Sequence, residues 1–381
     1  MEDSVKEKSF ARRFAPGVKS PDVEKGMVII MKHTMAIIGF GGMGGWHAEN
    51  VSSRIEEIIV KGVYDIRDEA LIKAKEKELY VYSTIDELLQ DKEIELVTIA
   101  TPNDKHKEYA VMCLRAGKHV ICEKPVTMNV AELEEIIEVS KEVGKIFSIH
   151  QNRRWDKDYV TIKTILNNKS IGKPYFIESR VQGSRGAMHG WRGHKINGGG
   201  MVLDWGVHLI DQFLNLIDEK VVSVTAHLLN LYSDEVDDNI KIMLRFENGV
   251  SALCEMSTNC LINLPRWHVS CTEGTVVIND WSCGGKIVKL KSDSKTEWSD
   301  DIVYTEAGPT RTMAPRPVYT TDVLELPEVN TDWSDYYKNI VKVINGEEEL
   351  IVKPEQALRV MKVIEMVFRS EESGMGVSCN I

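Results

Sequence analysis

Residues 39–44 read Gly-Phe-Gly-Gly-Met-Gly, between the apolar run TMAIIGF (34–40) and a stretch that turns helical, GGMGGWHAENVSSRI. No other feature constrains the fold as tightly. A G-x-G-x-x-G pattern between a strand and a helix opens a βαβ unit. Gly39 permits the tight turn, Gly41 lets backbone approach a pyrophosphate, and Gly44 lets the helix pack closely on the strand. The phosphate charge then meets free N–H groups at the helix start. This assigns Gly39, Phe40, Gly41, Gly42, Met43 and Gly44 to a dinucleotide site, with Met43 as packing. The next apolar run, IIVKGVYD, closes on Asp65, 21 residues past Gly44. A carboxylate there accepts hydrogen bonds from both ribose hydroxyls and repels a 2′-phosphate, so NAD is expected over NADP. Arg67 nearby softens that preference. The bland alternative is a Gly-rich turn in an αβ domain without nucleotide.

Strand-like and helix-like segments alternate from 34 to 150: DEALIKAKEKEL, YVYS, IDELLQD, LVTIA, a helix at 104–116, HVICEK, a helix at 129–143 and KIFSIH. This order predicts a doubly wound parallel sheet. After 151 a helix, DYVTIKTILNN, and a strand, IGKPYFIESRVQG, precede a Gly-rich segment and a helix over 200–217. From 221 to 326 most segments alternate like antiparallel strands, with hairpin signals at ENG (247–249) and TEG (272–274). The Pro- and Thr-rich segment 307–322 is expected to be a long loop, followed by helices over 332–345 and 354–370. The expected fold class is thus α/β plus α+β. The boundaries are an N-terminal extension at 1–30, a Rossmann domain at 31–152 and a substrate domain at 153–370, whose last helices can pack back on the first domain.

A formal net charge of −11 excludes broad electrostatic binding to nucleic acid or anionic membranes. No apolar run approaches the ~18 residues of a membrane span, and MEDSVKEKSFARRF has no apolar core of a secretory signal. Seven scattered cysteines without a CxxC pair read as reduced thiols of a cytoplasmic protein.

Ligands of open α/β sheets lie beyond the carboxyl ends of the strands. Two such ends carry Thr101-Pro102-Asn103 and Glu123-Lys124-Pro125. A lysine there can point into the crevice and stabilise developing negative charge, or remain a solvated surface lysine. The segment NGGGMVLDWGVHLID (197–211) places Asp204 and His208 four apart, on one face of a helix, with Asp211 three further on. Apolar neighbours from Met201 to Leu214 anchor that helix beside the core, where a purposeless carboxylate would be costly. Histidine titrates near neutrality and can take a hydroxyl proton. His208 is therefore assigned as general base, Asp204 as its tuner and a binder of a neighbouring hydroxyl, and Lys124 as the group that polarises the oxygen. Asp211 either orients the other nitrogen of His208 or caps local structure. Taken alone, His208 is equally a satisfied core histidine.

Arg153, Arg154, Trp155 and Asp156 follow a strand end and can line the crevice, Trp155 as a stacking face for a sugar. An interdomain salt-bridge cluster explains the arginines equally well. SRGAMHGWRGHKIN (184–197) reads as a loop over the site, with His189, Trp191, Arg192 and His194 as sugar contacts. No carboxylate or cysteine pattern joins the histidines into a metal site, so no metal is expected.

The motifs GFGGMGGWH, TPN, GKHVICEKP and GGGMVLDWGVHLIDQ, in that order, make the chain similar to the Gfo/Idh/MocA oxidoreductases over roughly 34–370. HQNRRWDKDY resembles the branch of scyllo-inositol dehydrogenases and glycoside 3-dehydrogenases. The resemblance implies a Rossmann domain followed by an α+β domain with a large open antiparallel sheet, which relatives use to self-associate as dimers or tetramers. It implies that Lys124 contacts the nicotinamide ribose and substrate, and it assigns the aspartate and histidine of D-x-G-x-H to Asp204 and His208. Thr101, Pro102, Asn103, His106, Glu123 and Lys124 join the glycines, Asp65 and Arg67 in the cofactor set. The expected activity is NAD-dependent oxidation of a secondary hydroxyl of a cyclic polyol, sugar or glycoside. One alternative keeps NAD bound and recycles it in glycoside cleavage or transhydrogenation. Another, of a different class, is a catalytically dead nucleotide sensor or scaffold.

Overall fold

The computed structural model describes residues 31–291, 302–311 and 316–381; the expected N-terminal extension and part of the 307–322 segment lie outside them. From the first strand the chain alternates as the sequence predicts: β1 (His33–Ile38), α1 (Gly42–Arg54), β2 (Ile58–Tyr64), α2 (Asp68–Glu76), β3 (Tyr80–Val81), α3 (Ile85–Gln90), β4 (Leu96–Ile99), α4 (His106–Arg115), β5 (His119–Cys122), α5 (Val130–Val143) and β6 (Phe147–Ile149). The six strands pair in parallel in the order β3-β2-β1-β4-β5-β6. Apolar residues such as Ile37, Val97, Ile99 and Val120 are fully buried, as a sheet covered on both faces requires. Strand order reverses between β1 and β4, which opens a crevice at their carboxyl ends.

A 3-10 turn, Asn152–Trp155, leads into α6 (Lys157–Asn167) and the second sheet. There follow β7 (Pro174–Gln182), α7 (Val207–Leu216), β8 (Val221–Leu229), β9 (Asn239–Phe246), β10 (Ser251–Ser257), β11 (Trp267–Cys271), β12 (Gly274–Ile278) and β13 (Gly285–Leu290). A separate hairpin pairs β14 (Ile302–Thr305) with β15 (Gly308–Arg311). The chain closes with β16 (Thr321–Leu324), α8 (Ser334–Ile344), α9 (Pro354–Ser373) and β17 (Val377–Ser378). The nine-stranded sheet runs β16-β13-β12-β11-β7-β10-β9-β8-β17 and is antiparallel except between β7 and β10. Its β9–β10 hairpin turns at the expected ENG, where Gly249 adopts φ +87°.

The segment 307–322 is not one long loop. Of its three prolines, Pro309 falls on an edge: it sits in the two-stranded hairpin, where a missing N–H interrupts no central ladder. Thr321–Leu324 then pairs with β13 as the outermost strand of the sheet.

Helix α9 packs against α7 and β8 on the second sheet and against α5 and β6 on the first. Glu365 accepts the Val130 backbone N–H at 3.0 Å, and Ser148 donates to the Val352 carbonyl at 3.0 Å. The C-terminal helices thereby brace the parallel sheet. All seven cysteines are free thiols. Among the described residues no helix is long and apolar enough to cross a membrane.

Candidate active site

A cleft of about 790 Å³ runs along the carboxyl ends of β1, β4 and β5. At one end the glycine loop meets α1, whose cap residue Gly41 supplies no side-chain hydrogen bond, so the first N–H groups of the helix stay free for an anion. Gly44 is fixed by contact: a Cβ there would lie 2.0 Å from the Gly39 carbonyl oxygen. A Cβ at Gly42 would meet nothing within 4 Å. The loop is thus tight against the strand and open toward the cleft, the shape a pyrophosphate needs. Phe40 contributes its backbone N–H, which donates to Asp65 Oδ2 at 2.6 Å. Arg67 clasps the same carboxylate through Nε at 3.0 Å and a terminal nitrogen at 2.9 Å. Burial would raise Asp65, but these hydrogen bonds from Arg67 and Phe40 hold it below the usual carboxylate range. The residue meant to select NAD is therefore already engaged by a cation able to meet a 2′-phosphate.

Thr101, Pro102 and Asn103 follow β4 and line the cleft, and Asn103 donates to the Gly198 carbonyl at 2.7 Å. His106 does not reach it. Its ring nitrogens sit 2.9 and 3.0 Å from the carbonyls of Pro125 and Thr101 and tie two strand ends together.

At the other end, Lys124 extends from the end of β5 to the second sheet's helix. Its Nζ donates to the carbonyl and the carboxylate of Asp204 at 2.9 and 3.0 Å. Arg192 Nε reaches the same carboxylate oxygen at 3.2 Å. Burial opposes ionisation of Asp204, yet Lys124 and Arg192 keep it below its ordinary value. The helix carrying it differs from expectation. Residues Val202–Gly206 form a wide π-helical turn before α7, a feature frequent at functional sites. Asp237 anchors this start, accepting the Val202 N–H at 2.8 Å. A Cβ at Gly200, which has φ +101°, would lie 2.5 Å from that carboxylate.

His208 lies on α7, 3% exposed, and lines the cleft. Its Nδ1 is 3.2 Å from Gln151 Oε1. A carbonyl oxygen only accepts, so Nδ1 carries the ring proton and Nε2 is left with a lone pair. Burial, then the charges of Lys124 and Arg153, hold His208 well below the ordinary histidine value, hence neutral at physiological pH.

Residues 33–151 match the oxidoreductase family with an NAD-binding Rossmann fold, and residues 159–277 match the GFO/IDH/MocA C-terminal domain. A solved NAD-binding protein from Listeria innocua superposes with a TM-score of 0.87 and 44% identity, over 92% of this chain and 100% of that one. Myo-inositol 2-dehydrogenase of Thermotoga maritima is 30% identical over 231 residues, 58% of this chain and 68% of the relative. The chain belongs to the Gfo/Idh/MocA oxidoreductase family. The scyllo-inositol 2-dehydrogenase (NADP(+)) of Bacillus subtilis is 26% identical over 343 residues, 89% of this chain and 93% of the relative.

Within this Gfo/Idh/MocA cleft the structure sorts the remaining candidates. Trp191 and Arg192 line it, as does Arg153, which stacks over Trp205 at 4.7 Å. Arg154 turns away from it. Its guanidinium grips Asp211 at 2.6 and 2.8 Å in a buried pair that also reaches Gln356 at 2.8 Å. Asp211 thus serves Arg154 and also accepts from Asn215 Nδ2 one turn on at 3.3 Å, a local tie, while the His208 ring bonds to Gln151. Both arginines form ion pairs, Arg153 with Asp156 at 3.2 Å and Arg154 with Asp211, but of the two it is Arg153 that also lines the cleft. Trp155 faces a separate cavity. His189 and His194 are exposed, whereas His208 is buried.

Sequence reasoning missed Gln151 and Asp237. It also missed a buried cluster behind Lys124. Glu123 Oε1 takes hydrogen bonds of 2.9 Å from both His47 and His150, and Tyr337 donates to His47 Nδ1 at 2.6 Å. Burial disfavours the Glu123 carboxylate, but the two imidazoles hold it ionised.

Proposed function

We propose that this chain is a dehydrogenase that oxidises a secondary hydroxyl of a cyclic polyol or sugar with a nicotinamide dinucleotide, residues 31–152 carrying the cofactor and 153–370 the substrate side. One observation carries the reading: Lys124, Asp204 and a neutral His208 meet at the end of a cleft that begins at the glycine loop. The names of the myo- and scyllo-inositol dehydrogenase relatives support a cyclic polyol as the substrate class.

The bound cofactor would accept the hydride from the carbinol carbon. Gly39, Gly41 and Gly42 and the start of α1 would hold its pyrophosphate, and Asp65 and Arg67 its adenosine ribose. The chain's own residues handle the proton. His208 Nε2 takes it from the hydroxyl as the C–H pair leaves and the C=O bond forms. An ammonium has three donors; two of those on Lys124 face Asp204, and the third is free to meet the oxygen where negative charge develops. Asp204, held ionised, fixes that ammonium and accepts from a neighbouring hydroxyl.

The test is a panel of inositols, sugars and glycosides, read by reduced-cofactor absorbance with NAD and with NADP. Turnover on at least one cyclic polyol or sugar is expected, with a loss of about 100-fold or more in His208→Ala. Turnover of that variant within a few-fold of the parent would remove His208 as the base.

A further inference from the structure

A second cavity, of about 340 Å³, lies beside the active-site cleft and shares Asn152 with it. That volume is at the lower end of small-ligand pockets. Three half-buried indoles from separate elements form its walls: Trp46 of α1, Trp155 of the turn after β6, and Trp333 at the start of α8. Each is braced from behind. Trp155 meets the edge of buried Tyr336 at 5.8 Å, and Trp333 meets buried Tyr337 at 6.4 Å. Trp46 packs edge-on against buried His47 at 5.4 Å and Trp333 at 4.7 Å. The walls are therefore preorganised. None of the three indole N–H groups has a protein acceptor among the described residues.

The polar lining narrows the ligand class. Asp156 pairs with Arg153 at 3.2 Å, and Asp332 with Arg54 at 2.7 Å. Both carboxylates are already neutralised, so the cavity offers no net negative field to a cation. What it offers is the faces of Trp46 and Trp155, the Trp333 indole with the Arg54 guanidinium lying over its ring at 5.2 Å, free indole donors, carboxylate lone pairs and the Asn152 amide. Indole faces take up apolar C–H surfaces while carboxylates and amides bind hydroxyl edges. A pyranose or cyclitol ring has that combination of face and edge.

We propose that this cavity is a second carbohydrate-binding subsite, holding a pyranose or cyclitol ring on Trp46, Trp155 and Trp333 beside the catalytic cleft. The proposal concerns binding at a place the dehydrogenase reading leaves unused, and its test is independent of turnover.

The test uses the full chain with ¹⁵N-labelled tryptophan, titrated with methyl β-glucopyranoside and with myo-inositol in the presence of NAD. Single Trp→Phe variants assign the indole signals. Signals of Trp46, Trp155 and Trp333 are expected to move saturably, with half-saturation at about 1–10 mM. The same movement is expected in His208→Ala, which separates this site from catalysis. Asp156→Asn and Trp333→Phe should each weaken it about five-fold or more; using two variants guards against one that fails to fold. Trp191 and Trp205 report the main cleft separately. The proposal is overturned if the three signals stay still up to about 100 mM, if tetramethylammonium chloride moves them instead, or if both variants bind as the parent does.

Discussion

Gln151 and His208 face each other at the base of the cleft, with the amide oxygen 3.2 Å from the ring Nδ1 and both side chains buried. The pair fixes which nitrogen can act as base. Gln151→Leu removes that orientation and should lower kcat about 10- to 100-fold, part of the ~10²–10⁴ that a positioned base supplies. Gln151→Glu places a carboxylate against Nδ1 and favours the imidazolium, so it raises the His208 pKa. In the parent, burial and the charges of Lys124 and Arg153 hold His208 well below the ordinary histidine value. In the glutamate variant the acid limb of kcat/KM should move to higher pH. A leucine variant with parental kcat and parental pH profile would refute the assignment.

On the proposed assignment, cofactor choice would turn on how Arg67 divides itself between Asp65 and a 2′-phosphate. Asp65→Ser removes the repelling carboxylate and releases the guanidinium now held at 2.9 and 3.0 Å. The ratio of kcat/KM for NADP over NAD should rise about 10-fold or more, equivalent to ~1.4 kcal/mol. Arg67→Ala should lower NADP use more than NAD use. Initial rates with both cofactors decide it, and an unchanged ratio in both variants counts against the adenosine-ribose assignment.

The Arg154–Asp211 pair is predicted to matter for stability rather than chemistry. Both side chains are nearly inaccessible, at 7% and 2% exposure. Arg154→Ala leaves a buried carboxylate unpaired and should cost about 3–5 kcal/mol. Removing both charges together, Arg154→Met with Asp211→Leu, should recover most of that loss. Urea denaturation of the two variants measures it. If the single variant is as stable as the parent, the pair is not a structural tie.

Asp237 carries the opposite pH dependence to most carboxylates. Burial pushes it up to about 6, against the N–H donors of Val202 and its neighbours that pull it down. A folded-state value above the unfolded one means the native chain binds the proton more tightly. The associated stability is present below the unfolded value near 4 and is lost as pH rises through about 6, amounting to roughly 2–3 kcal/mol. Asp237→Asn should abolish that slope. The parent's denaturation midpoint should fall relative to the variant's between about pH 4 and pH 7, and parallel curves would exclude the effect.

What the sequence made legible was whatever is enforced locally. The glycine loop is readable because Gly44 touches backbone five residues away and Gly39 must turn. The parallel strands are readable because burial on both faces demands unbroken apolar runs. Lys124 and Asp204 stood out as charged residues beside apolar ones. Gln151 did not, because its meaning depends on a partner 57 positions away and a glutamine after a strand carries no local signature. For the same reason the sequence leaves Arg154 open between a crevice contact and a salt bridge, because its partner Asp211 lies 57 positions away. The π-helical turn was invisible to 3.6-residue periodicity, since one widened turn leaves the apolar pattern intact. His47, Glu123, His150 and Tyr337 come from four separate elements and meet only in the folded chain.

The hydrogen bonds from Lys124 to Asp204 join the end of a parallel strand to a helix of the other sheet. They therefore also act as a latch. Any motion that swung the second sheet away from the first by more than the reach of a hydrogen bond would take the ammonium from its carboxylate. On the proposed assignment the reactive centre would exist only while the two sheets are held at this distance, so the bond that orients the ammonium would also report on the spacing of the sheets.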